Sequence, residues 1–131
     1  MVIDTSALAA IFLAEPERQL FRDLILQADS RLVSAANVLE TGIVLEAKKG
    51  EALGREFDLF VARASLHVVP VDGEQIELAR SAWRKYGKGR HRAALNFGDC
   101  FAYALAKSSG EPLLAKGDGF SFTDIEICTG P

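Results

Sequence analysis

Met1-Val2-Ile3-Asp4-Thr5-Ser6-Ala7 is the stretch that decides the fold. Met1-Val2-Ile3 is too short and too apolar for anything but a buried strand, and Asp4-Thr5-Ser6 ends it. From Ala7 the pattern is helical, with Leu8, Ile11 and Phe12 on one face. The rest of the chain repeats this alternation. Pro16 opens a second helix in which Leu20, Phe21, Leu24 and Ile25 are expected to face inward. Leu32-Val33-Ser34 reads as a second strand, and Asn37, with Glu40 three residues on, as the cap of a helix that closes at Gly50. A helix from Leu53 to about Ser65 carries Phe57, Phe60 and Val61 on its apolar side. A third strand covers Leu66–Val71, and a helix over Gln75–Tyr86 puts Ile76, Ala79 and Trp83 at helical spacing. A helix from Asn96 or Phe97 to Ser108, a fourth strand over Pro112–Ala115 and an edge strand over Ile125–Cys128 complete the chain. Short, continuously apolar strands alternating with helices specify an α/β domain. Its mainly parallel sheet of four to five short strands is flanked by helices on both sides.

A length of 131 residues fits a single domain spanning 1–131, and 49% apolar with 25% charged residues excludes wholesale disorder. Cys100 and Cys128 have neither C-x-x-C nor zinc-ligand spacing and are expected to be reduced thiols. The N-terminal apolar run Ala7–Ala14 is eight residues long, well short of the ~20 needed to cross a bilayer. Asp4 stands where a signal peptide would carry a basic residue. The expectation is a cytoplasmic protein with no membrane association.

Charge is more informative when divided. Five of the fifteen basic residues, Arg84, Lys85, Lys88, Arg90 and Arg92, fall within one stretch that holds no acid, leaving ten against eighteen acids elsewhere. An acidic body with one basic stretch suits a protein that grips a polyanion at one place; a solvated surface loop would carry the same residues.

Four carboxylates fall where an open parallel sheet binds ligands, beyond the carboxyl ends of its strands. Asp4 ends the first strand and Asp118 follows the fourth; Glu40 and Asp99 lie in the first turns of the helices after the second strand and before the fourth. Like charges crowded together are relieved by a bound cation or by proton uptake. Oxygen-only ligands suit a hard ion, Mg²⁺ or Mn²⁺. Each acid also has a local role available. Glu40 would complete a capping box with Asn37, Asp99 would sit three residues into a helix capped by Asn96, Asp4 would cap the first helix, and Asp118 would be a turn residue. Those roles leave unexplained why all four map to one side of the sheet.

Met1-Val2-Ile3-Asp4-Thr5-Ser6-Ala7 resembles the start of a PIN-domain nuclease of the VapC toxin family, and Ser34-Ala35-Ala36-Asn37-Val38-Leu39-Glu40-Thr41 resembles that family's second acidic motif. Leu95-Asn96-Phe97-Gly98-Asp99-Cys100-Phe101-Ala102-Tyr103-Ala104-Leu105-Ala106 is similar to its third and most specific motif. Leu113-Leu114-Ala115-Lys116-Gly117-Asp118-Gly119-Phe120, followed by Thr123-Asp124-Ile125, resembles the fourth. The similarity runs in order along essentially the whole chain. It implies a PIN fold and an endoribonuclease dependent on Mg²⁺ or Mn²⁺. Asp4 and Asp99 are the expected main metal ligands, with Glu40 and Asp118 completing the catalytic site directly or through water and Thr5 or Ser6 orienting the attacking water. Structured RNA such as transfer RNA is the substrate class it implies, cut to leave a 5′-phosphate and a 3′-hydroxyl. It also implies inhibition by a VapB-type antitoxin. In one respect the chain departs: relatives often carry a second acid just before the position of Phe120, where this sequence has Gly119; Asp124 lies nearby as a substitute, although a structural role is the expectation for it.

On the residues themselves, Arg84, Lys85, Lys88, Arg90 and Arg92 are the expected RNA-phosphate contacts. The apolar N-terminal helices, with Leu8, Ile11, Phe12, Leu20 and Leu24, are expected to offer part of a groove to an antitoxin helix, with most of these residues in the core. Another apolar surface would make a homodimer, or a toxin–antitoxin hetero-oligomer. Two alternatives stay open. One is a catalytically weak or inactive PIN domain that binds protein or RNA; the other is a Mg²⁺-binding receiver-like signalling domain. The second needs a phospho-acceptor at the end of a central strand, whereas its candidate, Asp58, lies within helical periodicity. A haloacid-dehalogenase-type phosphatase would need an acid where Ser6 stands, and no dinucleotide or phosphate-loop glycine pattern is present.

Overall fold

The computed structural model describes residues 1–128. In chain order the elements are β1 (Val2–Ile3), α1 (Thr5–Phe12), α2 (Arg18–Gln27), β2 (Leu32–Ser34), α3 (Ala35–Lys49), α4 (Glu51–Arg63), β3 (His67–Val69), α5 (Gly73–Tyr86), α6 (Phe97–Ser109) and β4 (Leu113–Leu114). The strands form one four-stranded sheet in the order β3-β2-β1-β4, every pair parallel. Because side chains alternate across a strand, even two-residue strands feed two cores. Ile3, Val33 and Leu114 pack on one face of the sheet with Leu8 and Ile11 of α1, Phe21 and Ile25 of α2, Leu45 of α3 and Phe57 of α4. Val2 and Leu113 point to the other face, against Ala79 and Ala82 of α5 and Ala102, Tyr103 and Leu105 of α6. Helices therefore cover both faces, as a parallel sheet requires.

Several expected details move. The fifth strand over Ile125–Cys128 reduces to a single parallel bridge between Ile127 and Leu113. Helix α2 starts two residues after Pro16 and docks through Phe21 and Ile25, which are buried, while Leu20 is 46% exposed. At 100° per residue, burying the Phe21–Ile25 stripe rotates Leu20 off the core. Strand β3 occupies the sheet edge, so His67 and Val68 are exposed rather than buried, and the stretch ends before Pro70, which has no N–H to give a ladder. Helix α4 begins at Glu51, not Leu53, because Gly50 at φ +90° ends α3 and turns the chain straight into the next helix. In α5 only Ala79 of the expected stripe is buried; Ile76 and Trp83 lie about half exposed. No helix among the described residues is long and apolar enough to cross a membrane.

The cap of α3 is the correction with consequences for the site. Ser34, not Asn37, is the N-cap, its hydroxyl accepting the Ala36 N–H at 3.3 Å. Asn37 and Glu40 therefore lie inside α3, three residues apart on one face, rather than at its mouth.

Candidate active site

Parallel strands and the helices that follow them bring three of the four acids to one edge of the sheet. Asp4 leaves β1 and caps α1: its Oδ2 accepts the Ser6 N–H at 3.0 Å and the Ser6 hydroxyl at 2.6 Å. It is 2% exposed, and its Oδ1, buried, has no hydrogen-bond partner among the described residues. Asp99 forms a complete capping box at the start of α6, taking the Asn96 N–H on Oδ2 at 2.9 Å while its own N–H goes to Asn96 Oδ1 at 2.9 Å. Glu40, from the second turn of α3, lies against the Gly98 backbone of α6 and accepts from Asn37 Nδ2 at 3.3 Å.

The electrostatics follow from this placement. Burial pushes the Asp4 carboxyl up to about 6, against the lowering effect of its Ser6 hydrogen bonds, and the Asp99 and Glu40 charges add to the rise. Burial and the Glu40 charge likewise raise Asp99, against the Asn96 hydrogen bond. Cationic relief within the chain is missing from the salt bridges among the described residues, none of which involves Asp4, Glu40 or Asp99. Lys116, the basic residue nearest in sequence to Asp118, pairs with Glu15 and with Glu17 at 3.2 Å.

Asp118 differs from these three in its exposure. It is exposed in the loop after β4, leading into a 3-10 turn over Gly119–Phe122, and its charge is not among those acting on Asp4. Gly119 is enclosed: a Cβ there would come within 2.9 Å of the Ala93 carbonyl, so an acid in its place requires the backbone to shift. Asp124 is committed elsewhere. Burial tends to raise it, but the Tyr103 hydroxyl and Lys107 ammonium, both donating at 2.7 Å, outweigh that and hold it below the usual carboxylate range. Of the two hydroxyls considered for orienting water, Ser6 is engaged by Asp4 and by the Lys116 N–H at 2.9 Å, and Thr5 by Asn37.

The donors fit a hard divalent cation. An orphaned carboxylate oxygen, three neighbouring acids and no lysine or arginine among them are what a cation would relieve. Among the described residues no three such side chains already stand as a closed chelate, so the acids are gathered rather than preassembled. Sequence reasoning misses the parts played by Asn37 and Gly98, which touch Glu40 directly. The Ser34 cap is the available signal, since it puts Asn37, Glu40 and Thr41 on one face of α3.

The basic stretch forms a closed loop beside α6. Lys88 N–H donates to the Leu95 carbonyl at 2.9 Å and Leu95 N–H to that of Tyr86 at 2.9 Å, with Gly89 at φ +84° at the tip. Arg84, Lys85, Lys88, Arg90 and Arg92 are all exposed. Two are pinned: the Arg90 guanidinium lies 4.5 Å over the Trp83 ring and that of Arg92 4.4 Å over Phe122.

A four-stranded parallel sheet between two helical layers, with Asp4 at the carboxyl end of β1, Asp99 at the start of α6 and Glu40 in the second turn of α3, is the PIN class of fold. The chain belongs to the PIN domain family, whose sequence pattern matches residues 1–126, and within it to the VapC group. It is 55% identical over 125 residues to "Ribonuclease VapC" of Mycolicibacterium smegmatis, covering 95% of this chain and 97% of that protein. It is 54% identical over 131 residues to "Ribonuclease VapC30" of Mycobacterium tuberculosis, covering all of both. The fold matches the crystal structure of M. tuberculosis VapC20, described as a sarcin–ricin loop cleaving toxin, at a TM-score of 0.80 and 19% identity over 99% of this chain and 98% of that one. Asp58, the residue a receiver domain would need at a strand end, lies exposed within α4, so that alternative has no acceptor site.

Proposed function

We propose that the protein is a ribonuclease toxin that cuts RNA with the help of Mg²⁺ or Mn²⁺, held by Asp4, Asp99 and Glu40 with Asp118 at the rim. The observation that carries this reading is the buried, unpartnered Asp4 Oδ1 beside two further acids with no neighbouring cation. When bound, the divalent ion supplies charge neutralisation at the phosphate and acidifies the attacking water. The chain's own residues do the rest. Ser6 fixes the Asp4 rotamer by holding Oδ2 and leaving Oδ1 free. The Asn96 box fixes Asp99 at the mouth of α6. Total RNA incubated with purified protein and Mg²⁺ should be cut to 5′-phosphate and 3′-hydroxyl ends, cutting should cease in EDTA, and it should resume on adding Mn²⁺. Cleavage that persists in EDTA would refute the metal-dependent reading. Binding of RNA without any cleavage under these conditions would favour an inactive PIN domain.

The pinned guanidiniums of Arg90 and Arg92 support the loop as the RNA-phosphate contact, with Arg84, Lys85 and Lys88 alongside, because ordered side chains lose less freedom on binding. Arg90→Glu with Arg92→Glu should weaken RNA binding about tenfold or more and flatten its salt dependence by roughly 0.7 in log–log slope per lost phosphate contact. An unchanged slope in a filter-binding salt series would remove the loop from the interface. Structured RNA such as transfer RNA remains the proposed substrate class.

A VapB-type antitoxin is the proposed inhibitor; a solved toxin–antitoxin complex from Klebsiella pneumoniae shares the fold at a TM-score of 0.70 and 15% identity over 97% of this chain and 95% of that one. An antitoxin arginine reaching the uncompensated acids would displace the cation. Leu8 and Ile11 lie in the core and Phe12 and Leu24 pack against it, the fate expected for most of the five, so Leu20 is the one of them left exposed for an antitoxin helix.

A second copy of the chain is the proposed occupant of the apolar face around Phe97. That ring is 82% exposed and separates two apolar hollows of about 710 and 460 Å³, one bordered by Ile76, Trp83 and Phe101, the other by Leu39, Ile43 and Val71. A protruding ring beside a hollow of matching chemistry is self-complementary under a two-fold axis. Phe97→Asp should raise the dimer dissociation constant by ~30-fold or more in sedimentation. A wild-type protein that sediments as a monomer would contradict the assignment.

A further inference from the structure

Asn37 is fully buried, and its Nδ2 lies 3.2 Å from Thr5 Oγ1, 3.3 Å from Glu40 Oε1 and 3.1 Å from the Gly98 carbonyl. Three oxygens around one end of the amide fix which end points there, and its Oδ1 is left without a partner. Those three partners belong to α1, α3 and α6, the helices whose N-terminal halves carry Asp4 as cap, Glu40 and Asp99. Gly98 supplies a second and independent observation. A Cβ added there would stand 2.2 Å from Glu40 Oε2 and 2.4 Å from Oε1. Its backbone does not demand glycine, since it is helical and outside the positive-φ glycines. Space for the Glu40 carboxylate is what demands it.

We infer that Asn37 and Gly98 are a positioning pair for Glu40: Gly98 opens the slot between α3 and α6 that admits the carboxylate, and the Asn37 amide holds it there. This rests on the reading that Glu40 serves the cation site. Neither residue is catalytic, since both act through Glu40. A role confined to helix packing predicts that substituting either residue has the same effect whether or not Glu40 is present. Positioning predicts that the effect vanishes with Glu40.

The test uses the full chain and two readouts, thermal unfolding in EDTA and Mn²⁺ titration. In the wild-type background Gly98→Ala must push aside the flexible end of Glu40, so it should change Tm less favourably than in a Glu40→Ala background and weaken Mn²⁺ binding by roughly 10- to 100-fold, the range typical of lost support to a metal-ligating side chain. In a Glu40→Ala background the same substitution should leave Tm unchanged or raise it, since alanine is the better helix former, and should cost no further Mn²⁺ affinity. Asn37→Ala should weaken Mn²⁺ binding in the wild-type background and add nothing to Glu40→Ala. A Tm change from Gly98→Ala that is equal in both backgrounds overturns the inference. So does wild-type Mn²⁺ affinity in either single variant. A wild-type chain that takes up no Mn²⁺ defeats the metal reading itself, and the thermal comparison then still decides whether Gly98 makes room for Glu40.

Discussion

Asp99→Asn should cut RNA cleavage by ~10³-fold, equivalent to about 4 kcal/mol of lost transition-state stabilisation, while the protein still folds. The substitution is nearly isosteric. The new amide would keep an oxygen to accept the Asn96 N–H, so the box that starts α6 would survive in shape. What it loses is one of the three neighbouring negative charges that make the site attractive to a divalent cation. Purified variant should therefore match wild type in circular dichroism and fail in a cleavage assay at equal Mg²⁺. Undiminished cleavage would remove Asp99 from the chemistry.

The second large effect is on stability, and it has the opposite direction. Asp4 is buried beside two other acids, and burial pushes its carboxyl from 3.8 in the unfolded chain to about 6. The fold thus binds that proton more tightly than the unfolded chain does. The resulting contribution to stability is fully present below about pH 4 and is lost as pH rises through about 6, a change of roughly 3 kcal/mol. An asparagine at this position cannot ionise, and it can still cap α1. Urea unfolding in EDTA should therefore find Asp4→Asn more stable than wild type at pH 8, by up to roughly 3 kcal/mol, with the difference shrinking towards zero near pH 4. Taking the difference between the two proteins cancels Asp124 and Glu111, whose lowered carboxyls pull the other way with pH. A pH-independent difference would mean that the Asp4 charge is not what strains the fold. Adding Mn²⁺ at pH 8 should stabilise wild type and leave Asp4→Asn nearly unmoved.

The two effects belong together. A site that gathers carboxylates tightly enough to attract a cation destabilises its own empty fold.

Much of this is legible in the sequence because it rests on short-range rules. Met1-Val2-Ile3 has one reasonable fate, Asn96-Phe97-Gly98-Asp99 spells a capping box, and both give Asp4 and Asp99 their places. Glu40 is found by its motif and misplaced by its local chemistry. Asn37 followed by Glu40 looks like a helix start, and only the stronger Ser34 cap shows that both lie inside α3. The contact between Asn37 and Gly98 spans 61 residues of chain, and no local pattern announces it. Helix faces are the weakest reading. Leu20, Ile76 and Trp83 keep helical spacing, yet the stripes that pack are Phe21–Ile25 and Ala79–Ala82, chosen by how each helix meets the sheet. Asp118 falls after a strand as expected, on an exposed loop, whereas Asp4 is buried.

Asp4, Glu40 and Asp99 are proposed to hold together the cation that cleavage requires, and anomalous diffraction from crystals soaked in Mn²⁺ would locate it. One strong peak, or a close pair, is expected within coordination distance of the unpartnered Asp4 Oδ1 and of Asp99, and none in crystals of Asp4→Asn. Peaks confined to other surfaces, from a protein that cleaves RNA in the same Mn²⁺ buffer, would contradict that proposal.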